Sequence, residues 1–413
     1  MHVHVALCAL IALAPLVVTY AYECPEDRKQ ADSNEKRLQK DLLCSYQTDF
    51  RPVVNHTQAV NVKVRFALKY IAFDQQEEVF TIHSWVAMSW KDEFLSWTPS
   101  DYGNIEEIQL GSHEIWTPEL ALFNADASSY QSESFYTTCL VKKDGVVMCV
   151  PHLAHSGICS TRLRYWPYDT QKCTLYFGSW MHTGEQVNFT FYQEMPVILD
   201  EYQPGPGWKL LDVKNVRLPG NYSCCPNNTY PMLKYTFKLQ REAAGPAAIV
   251  VVPSLVIVSM TLTSLLLDVK DNTRLVLACF SLFGHFIFLT EIGYDIPKHS
   301  ADTPVVLLFL RDSMLVTLGA VILTLGLMAL RRRTEPPPAW LKNIHLRITT
   351  GPARYVVFTE FDPADSKPLT ENDLNEDSSR IRSDWMQVAN VINSVIFLVT
   401  FLIYLILLFS YIL

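Results

Sequence analysis

Cysteines carry the first chemistry legible in this chain. Eight of the ten, Cys24, Cys44, Cys139, Cys149, Cys159, Cys173, Cys224 and Cys225, lie between an apolar leader and residue 226. An even set in a segment sent to an oxidising compartment reads as disulfides. Cys159 and Cys173 close a small loop whose tip is Trp166-Pro167-Tyr168-Asp169, a stiff, apolar-faced turn ending in one charge. Such a tip suits docking onto another surface. Cys139 and Cys149 bracket Asp144-Gly145, a hairpin signal that sets them nearly opposite each other. Cys44 ends a helical pattern within reach of Cys24, so a Cys24–Cys44 staple is expected; spacing alone leaves the pairing of these four open. Rival chemistries are missing. His152, His155 and His182 lack tight metal spacing, and no nucleophile elbow, phosphate loop or HExxH helix occurs. The expectation is a protein that is not an enzyme and uses no metal or cofactor.

The elements that must position the loop follow from periodicity. Residues 1–21 read as a secretory signal, with an apolar run from Val5 to Val18 and Thr19-Tyr20-Ala21 before the cut. From Asp32 to Tyr46 a helix is expected, capped by Asp32 or Ser33, with Leu38, Leu42 and Leu43 on one face. Short alternating runs then fill the chain to Phe237, as in Val60-Asn-Val-Lys-Val-Arg-Phe66, and predict an antiparallel, immunoglobulin-like β-sandwich across 22–242. Sequons at Asn55, Asn188, Asn221 and Asn227 all fall in this half and are expected to be glycosylated.

After Arg241 the composition changes. Pro246–Leu267, Leu275–Ile292, Val305–Leu330 and Trp385–Leu413 are apolar runs of membrane-spanning length. They predict an all-α four-helix transmembrane domain, with helices 1 to 3 in 243–330, an intracellular loop over 331–384 and helix 4 in 385–413. Lys270, Arg274 and Arg331-Arg332-Arg333 place the first turn and that loop inside. Within the spans, Pro253, Arg311 and Asp312 are the disruptors, and the two charges are expected inside the bundle. Cys279 is expected as a buried thiol. A short interfacial helix is expected from Pro336 to Ile344 and an unstructured run from Asp362 to Asp377. The whole chain is 49% hydrophobic, 18% charged and carries a net charge of -8, which with the absence of a basic aromatic cluster argues against nucleic acid as a partner.

With this order in place, particular motifs resemble those of the Cys-loop pentameric ligand-gated ion channels, nearest to the nicotinic acetylcholine receptor subunits. They are Trp85-x4-Trp90-x-Asp92, Trp97-x-Pro99, Asp101-Tyr-Gly103, Trp116-x-Pro118, Asn124, the Cys159–Cys173 loop, Gly178-Ser-Trp180 and Tyr222-x-Cys224-Cys225-x4-Tyr230. Gln240-Arg241, Ile296-Pro297 and Trp385-x3-Ala389-x-Val391-Ile392 extend the likeness through the apolar half.

The resemblance implies an aromatic box that holds a quaternary ammonium by cation–π attraction. Its principal face would be Phe123, Trp180, Tyr222 and Tyr230, and its complementary face Trp85, Leu140, Met148 and Val150. Trp90, Trp97 and Trp116 are expected in the core instead. Adjacent Cys224 and Cys225 would close on each other, strained because neighbouring α-carbons are about 3.8 Å apart; in the family that pair marks an alpha-type, agonist-capping loop. Departures are visible. Phe123 replaces the usual tyrosine, His182-Thr183 follows Trp180 in place of Tyr-Asp, Tyr176 replaces a lysine and Met232 an acid.

The second span is apolar all round, so periodicity leaves its facing open. The resemblance assigns the pore to Thr273, Val276, Phe280, Phe283, Ile287, Thr290 and Tyr294, with Glu291 and Asp295 near the outer mouth. Phe283 stands where the family carries its leucine gate, and Thr273 where it carries an inner acid. For coupling, Trp166, Pro167 and Asp169 would rest on the turn from Ile296-Pro297 to Pro304. Arg241 would pair with Asp169, Asp74, Glu77 or Glu78. The implied function is a subunit of an acetylcholine-type cation channel, assembled as a homo- or heteropentamer in the plasma membrane of a postsynaptic cell and opened by a small cationic neurotransmitter. The alternatives are a non-conducting or regulatory subunit, since stacked Phe rings would block a pore, and an anion-conducting relative, which Thr273, Lys270 and Arg274 allow.

Overall fold

The structure is a computed structural model that describes residues 33–127, 136–192, 195–297, 302–350 and 373–412. The expected signal segment, Cys24 and residues 298–301 of the expected docking turn lie outside these. The chain opens with helix α1 (Asn34–Leu43), where the Ser33 hydroxyl accepts the Lys36 amide at 3.2 Å as a side-chain cap and Leu38 is fully buried.

Twelve strands follow: β1 (Val60–Asp74), β2 (Val79–Ser96), β3 (Glu107–Gly111), β4 (Ala121–Leu122), β5 (Thr138–Lys142), β6 (Asp144–Cys149), β7 (His152–Ile158), β8 (Thr170–Gly178), β9 (Val187–Phe191), β10 (Val197–Ile198), β11 (Trp208–Leu218) and β12 (Met232–Arg241). They form a sandwich of two sheets. One runs β10-β1-β2-β6-β5-β3 with β7 also on β2 and β9 on β1; the other runs β11-β12-β8-β4. Strict alternation fixes which side chains turn inward. Phe66, Phe80, Phe177, Tyr235 and Phe237 fill the space between the sheets, with Phe66 and Phe177 rings 4.9 Å apart. Trp90 and Trp116 are buried edge to face at 5.8 Å, and Trp97 gives its indole N–H to the Ile105 carbonyl at 2.7 Å, so all three are structural. The antiparallel expectation fails at β9 and β10, which pair with β1 in parallel. The chain leaves β8 in the opposite sheet, crosses over and runs along one edge of β1, so no hairpin sets its direction.

Cys139–Cys149 and Cys159–Cys173 are disulfides, and Cys139 faces Cys149 across the β5–β6 register. Cys44 is disulfide-bonded as well. Gly145 makes the β5–β6 turn with φ of +82°, and a Cβ there would come within 2.2 Å of the Asp92 carbonyl oxygen. Only glycine fits.

Four helices are long and apolar enough to cross a membrane: α2 (Ala244–Leu266), α3 (Thr273–Asp295), α4 (Val305–Arg331) and, after the shorter α5 (Ala339–Thr350), the segment 381–411 of α6 (Asp373–Ile412). α6 begins upstream of Trp385, so residues 373–377, expected to be unstructured, are helical; α5 likewise outruns the expected end at Ile344. Arg311 is exposed and not inside the bundle. Near the helix end it turns outward and gives Nε to Asp312 at 2.8 Å, and Asp312 also accepts the Tyr411 hydroxyl at 2.6 Å. Cys279, expected to be buried, is exposed because it lies off the inner face of α3.

That inner face is polar. Arg274, Ser281 and His285 are fully buried, spaced by whole turns of one helix. Arg274 gives Nε to Thr324 of α4 at 3.2 Å. Ser281 meets Thr261 of α2 at 2.7 Å, and Thr261 meets Thr317 of α4 at 2.9 Å. His285 gives Nδ1–H to the Ser281 carbonyl at 2.8 Å, so a neutral ring accepts the Ser313 hydroxyl at Nε2, 2.7 Å away. Ser313 in turn accepts from Tyr404 of α6 at 3.1 Å. These bonds set the rotation of α3 within the bundle. On the opposite side Thr273, Val276, Phe280, Phe283, Ile287, Thr290 and Tyr294 are all exposed, as are Glu291 and Asp295.

Candidate ligand face and its link to the helices

The residues expected on the principal face form two pairs. Phe123 follows β4, hydrogen-bonded through its amide to the Tyr176 carbonyl at 2.8 Å, and its ring lies 5.9 Å from that of Trp180 just past β8. Trp180 is 68% exposed, unusual for a tryptophan among so many buried ones. Its turn is held by Glu119, whose carboxylate accepts the Ser179 hydroxyl at 3.1 Å and the Met181 amide at 3.3 Å. No local spacing marks Glu119, sixty residues upstream. Only the fold brings it here.

Tyr222 and Tyr230 stand edge to face at 6.0 Å on the loop between β11 and β12. That loop is pinned at its base. Tyr230 N–H bonds to the Gly220 carbonyl at 3.0 Å, and Gly220 has φ of +67° with the Tyr230 carbonyl oxygen 1.6 Å from where a Cβ would sit. Across the loop the Thr229 hydroxyl donates to Glu185 at 2.8 Å, which holds the Glu185 carboxyl below its usual range. Cys224 and Cys225, expected to close on each other, stand as thiols with sulfurs 2.8 Å apart. Neighbouring α-carbons are too close for relaxed disulfide geometry.

The expected complementary residues occupy the outer face of the other sheet. Trp85 on β2 is 41% exposed, with His152 of β7 edge-on at 5.0 Å. Leu140 and Met148 are cross-strand partners, and Met148 also faces Ser89 on β2. Val150 is half-buried just beyond β6. Among the sequons, Asn188 is already engaged: it donates to Asn61 at 2.8 Å and accepts from Arg217 at 2.7 Å.

The residues expected to couple the two halves come together most tightly. Arg241 ends β12 and grips Asp169 through two bonds, at 2.6 and 3.0 Å, while its guanidinium lies 4.2 Å over the Trp208 ring. Gln171 gives Nε2 to the same carboxylate at 2.6 Å. Of the four acids offered for Arg241, Asp169 is the partner. Asp74 instead accepts the Gln76 amide at 2.8 Å, and Glu78 accepts the Thr161 amide and hydroxyl at 2.9 and 2.8 Å. Trp166 and Leu163 of the disulfide loop are buried against Val250, Ile292 and Leu310 from α2, α3 and α4 and against Ile296 just past α3. The Trp166–Pro167 bond is cis and Pro167 is buried, but Tyr168 is exposed. The Val305 amide donates to the Arg164 carbonyl at 2.9 Å. Two glutamines of the β1–β2 turn complete the junction, Gln75 donating to the Asp295 carbonyl at 2.8 Å and Gln76 to the Tyr294 carbonyl at 2.9 Å. Leu163, Gln75 and Gln76 carry no signal in sequence, because an apolar residue or an amide in a turn is ordinary.

Comparisons agree with this architecture. Residues 35–243 match the model of the neurotransmitter-gated ion-channel ligand binding domain. The chain is 26% identical over 327 residues to neuronal acetylcholine receptor subunit beta-2 of Gallus gallus, covering 78% of this chain and 65% of that one. It is 27% identical over 354 residues to acetylcholine receptor subunit alpha-like 2 of Drosophila melanogaster, covering 83% and 60%. Against neuronal acetylcholine receptor subunit beta-3 of Gallus gallus it is 28% identical over 324 residues, covering 76% and 69%. The chain thus spans about two thirds or less of the first two relatives' length. A disulfide-looped β-sandwich seated on four apolar helices, with this match across its first half, places the chain in the neurotransmitter-gated ion-channel family, among the Cys-loop nicotinic receptor subunits.

Proposed function

We propose that the chain is one subunit of a pentameric ligand-gated channel of the plasma membrane. A small cationic ligand of the acetylcholine class would bind between adjacent sandwiches, and α3 would line the path for ions. One observation carries this reading. β12 begins two residues after Tyr230 on the ligand side and ends at Arg241, the residue tied to the disulfide loop that rests on the helices. Movement of the capping loop therefore has a continuous route to the ends of α2, α3 and α4. The principal face would be Phe123, Trp180, Tyr222 and Tyr230, and the complementary face Trp85, Leu140, Met148 and Val150 of the next subunit. The exposed stripe from Thr273 to Tyr294 is the side of α3 left for the pore. Asp271 is exposed ahead of it, where five copies would favour cations at the inner mouth.

A second reading is favoured by two side chains. Phe280 and Phe283 are 63% and 61% exposed on the stripe, and five copies of each would make stacked hydrophobic rings that gate by dewetting or plug the pore. The chain would then be a non-conducting partner in heteromers. Expression alone and with nicotinic-type subunits, with recording of acetylcholine-evoked current and its reversal potential, tests both. Current from the chain alone supports the first reading. Silence relieved by Phe280→Ser with Phe283→Leu supports the second, and a reversal potential that follows chloride rejects cation selectivity.

A further inference from the structure

We propose that His152 is a specificity-determining residue of the ligand face, whose imidazole N–H receives a hydrogen-bond acceptor carried by the bound cation. The inference rests on the ligand face proposed above and narrows the ligand class. It names an ammonium with an acceptor atom, such as an ester carbonyl, on the side turned to the complementary sheet. Strand geometry puts His152 there. Cys149 and Pro151 are buried, and the Pro151 carbonyl accepts the Val86 amide at 2.9 Å, so Met148, Val150 and His152 turn outward in one row. Trp85 and His152 are cross-strand partners in the β2–β7 register and therefore share a face. Their rings meet edge on, 5.0 Å between centroids and 63° between planes.

The chemistry of the neighbours makes this histidine matter. Leu140, Met148 and Val150 have no N–H or O–H in their side chains, so around the proposed complementary face the donors are the Trp85 indole and His152 beside it. Ser89 stands opposite Met148, at the other end of the row from Trp85. His152 is exposed, and among the described residues neither of its ring nitrogens is spent on a hydrogen bond. A neutral imidazole carries one N–H and a charged one two, so a donor is present in either form. Contact with the indole limits where that donor can point, which reduces the freedom lost on binding. Rings of the principal face would hold the ammonium by cation–π attraction, which reads the charge and not the rest of the ligand. His152 supplies the choice among ligands of equal charge.

Equilibrium binding to the full-length chain in detergent tests this, with acetylcholine and with tetramethylammonium, a quaternary ammonium that has no acceptor. His152→Phe keeps an aromatic ring against Trp85 and removes the donor. It is expected to weaken acetylcholine about two- to tenfold, the range of one net hydrogen bond, and to leave tetramethylammonium unchanged. His152→Gln, which keeps an N–H, should restore part of the loss. Acetylcholine affinity unchanged in His152→Phe overturns the proposal. An equal loss for both ligands also overturns it, since the histidine would then only support Trp85. If neither ligand binds the parent, the ligand face itself fails and the proposal with it; binding of both at an unchanged affinity ratio defeats His152 alone.

Discussion

Arg241 holds both carboxylate oxygens of Asp169, and the Arg241 amide also donates to the Asp169 carbonyl at 3.2 Å. The last residue of β12 and the tip of the disulfide loop are thus joined by backbone and side chain at once. Both side chains are nearly sealed from solvent, at 9% and 2% exposure, so this is a buried pair and not a surface one.

Removing one partner of such a pair typically costs about 3–5 kcal/mol, because the other charge is left buried. Arg241→Gln is therefore expected to abolish evoked current while acetylcholine binding survives in correctly assembled protein. Asp169→Asn added to it should recover part of the lost stability, as a double-mutant cycle of thermal melts would show. Unaltered current in Arg241→Gln would reject the coupling role.

His155 predicts an acid-labile sandwich. It turns inward from β7, edge-on to Phe177 at 4.9 Å, and its Nδ1 is buried with no partner among the described residues. The residue as a whole is half-buried, yet burial of the ring pushes its pKa down to about 4. An unfolded histidine binds its proton near pH 6.5, so between these values the unfolded chain holds more protons and stability falls as pH falls. The loss should approach roughly 3 kcal/mol by pH 4. Burial raises the Asp92 carboxyl, an opposite dependence in which stability is lost as pH rises. Melting profiles of His155→Phe against the parent isolate the histidine share; parallel profiles would refute it.

Gly220→Ala should loosen the capping loop without unfolding the sandwich. A side chain at φ of +67° costs about 1–2 kcal/mol before any clash, and here the Tyr230 carbonyl blocks the Cβ outright. The loop must shift, and acetylcholine affinity should drop by about tenfold or more. Binding isotherms alongside a thermal melt separate the two effects.

The buried chain from Tyr404 through Ser313 to His285 has a direction that ranks substitutions. Ser313→Ala strands the His285 Nε2 acceptor and the Tyr404 hydroxyl together, and an orphaned buried polar group costs about 1–3 kcal/mol. Tyr404→Phe removes a donor and leaves only one lone pair of Ser313 unmet. Ser313→Ala should lower the melting temperature in detergent by more than Tyr404→Phe; the reverse order would contradict the tautomer deduced for His285.

Much of the architecture was legible because it is local. The cap at Ser33, the alternation of β1, the Asp144-Gly145 turn that sets Cys139 against Cys149, and the four apolar spans each depend on residues within one element or one turn. The candidate ligand face was legible only through motif likeness. Glu119, Leu163 and the Gln75–Gln76 amides escaped it, since their roles exist only where distant segments meet.

Residue types and their spacing by themselves determined a disulfide-looped β-domain ahead of four membrane-length helices, since periodicity and turn chemistry act over a few residues. They left open how α3 is turned. Polar side chains stand on more than one side of this mostly apolar helix, Thr273 and Thr290 on one and Arg274, Ser281 and His285 on another, and spacing does not say which side is buried. Tertiary structure decided that. Thr261, Thr324 and Ser313 meet Ser281, Arg274 and His285 from other helices, Thr317 supports Thr261, and buried polar groups on α3 gain their partners from that side. The same holds for Arg241, which had four acids within plausible reach: packing of the disulfide loop against the helices brings Asp169 to it, and the other three stay elsewhere.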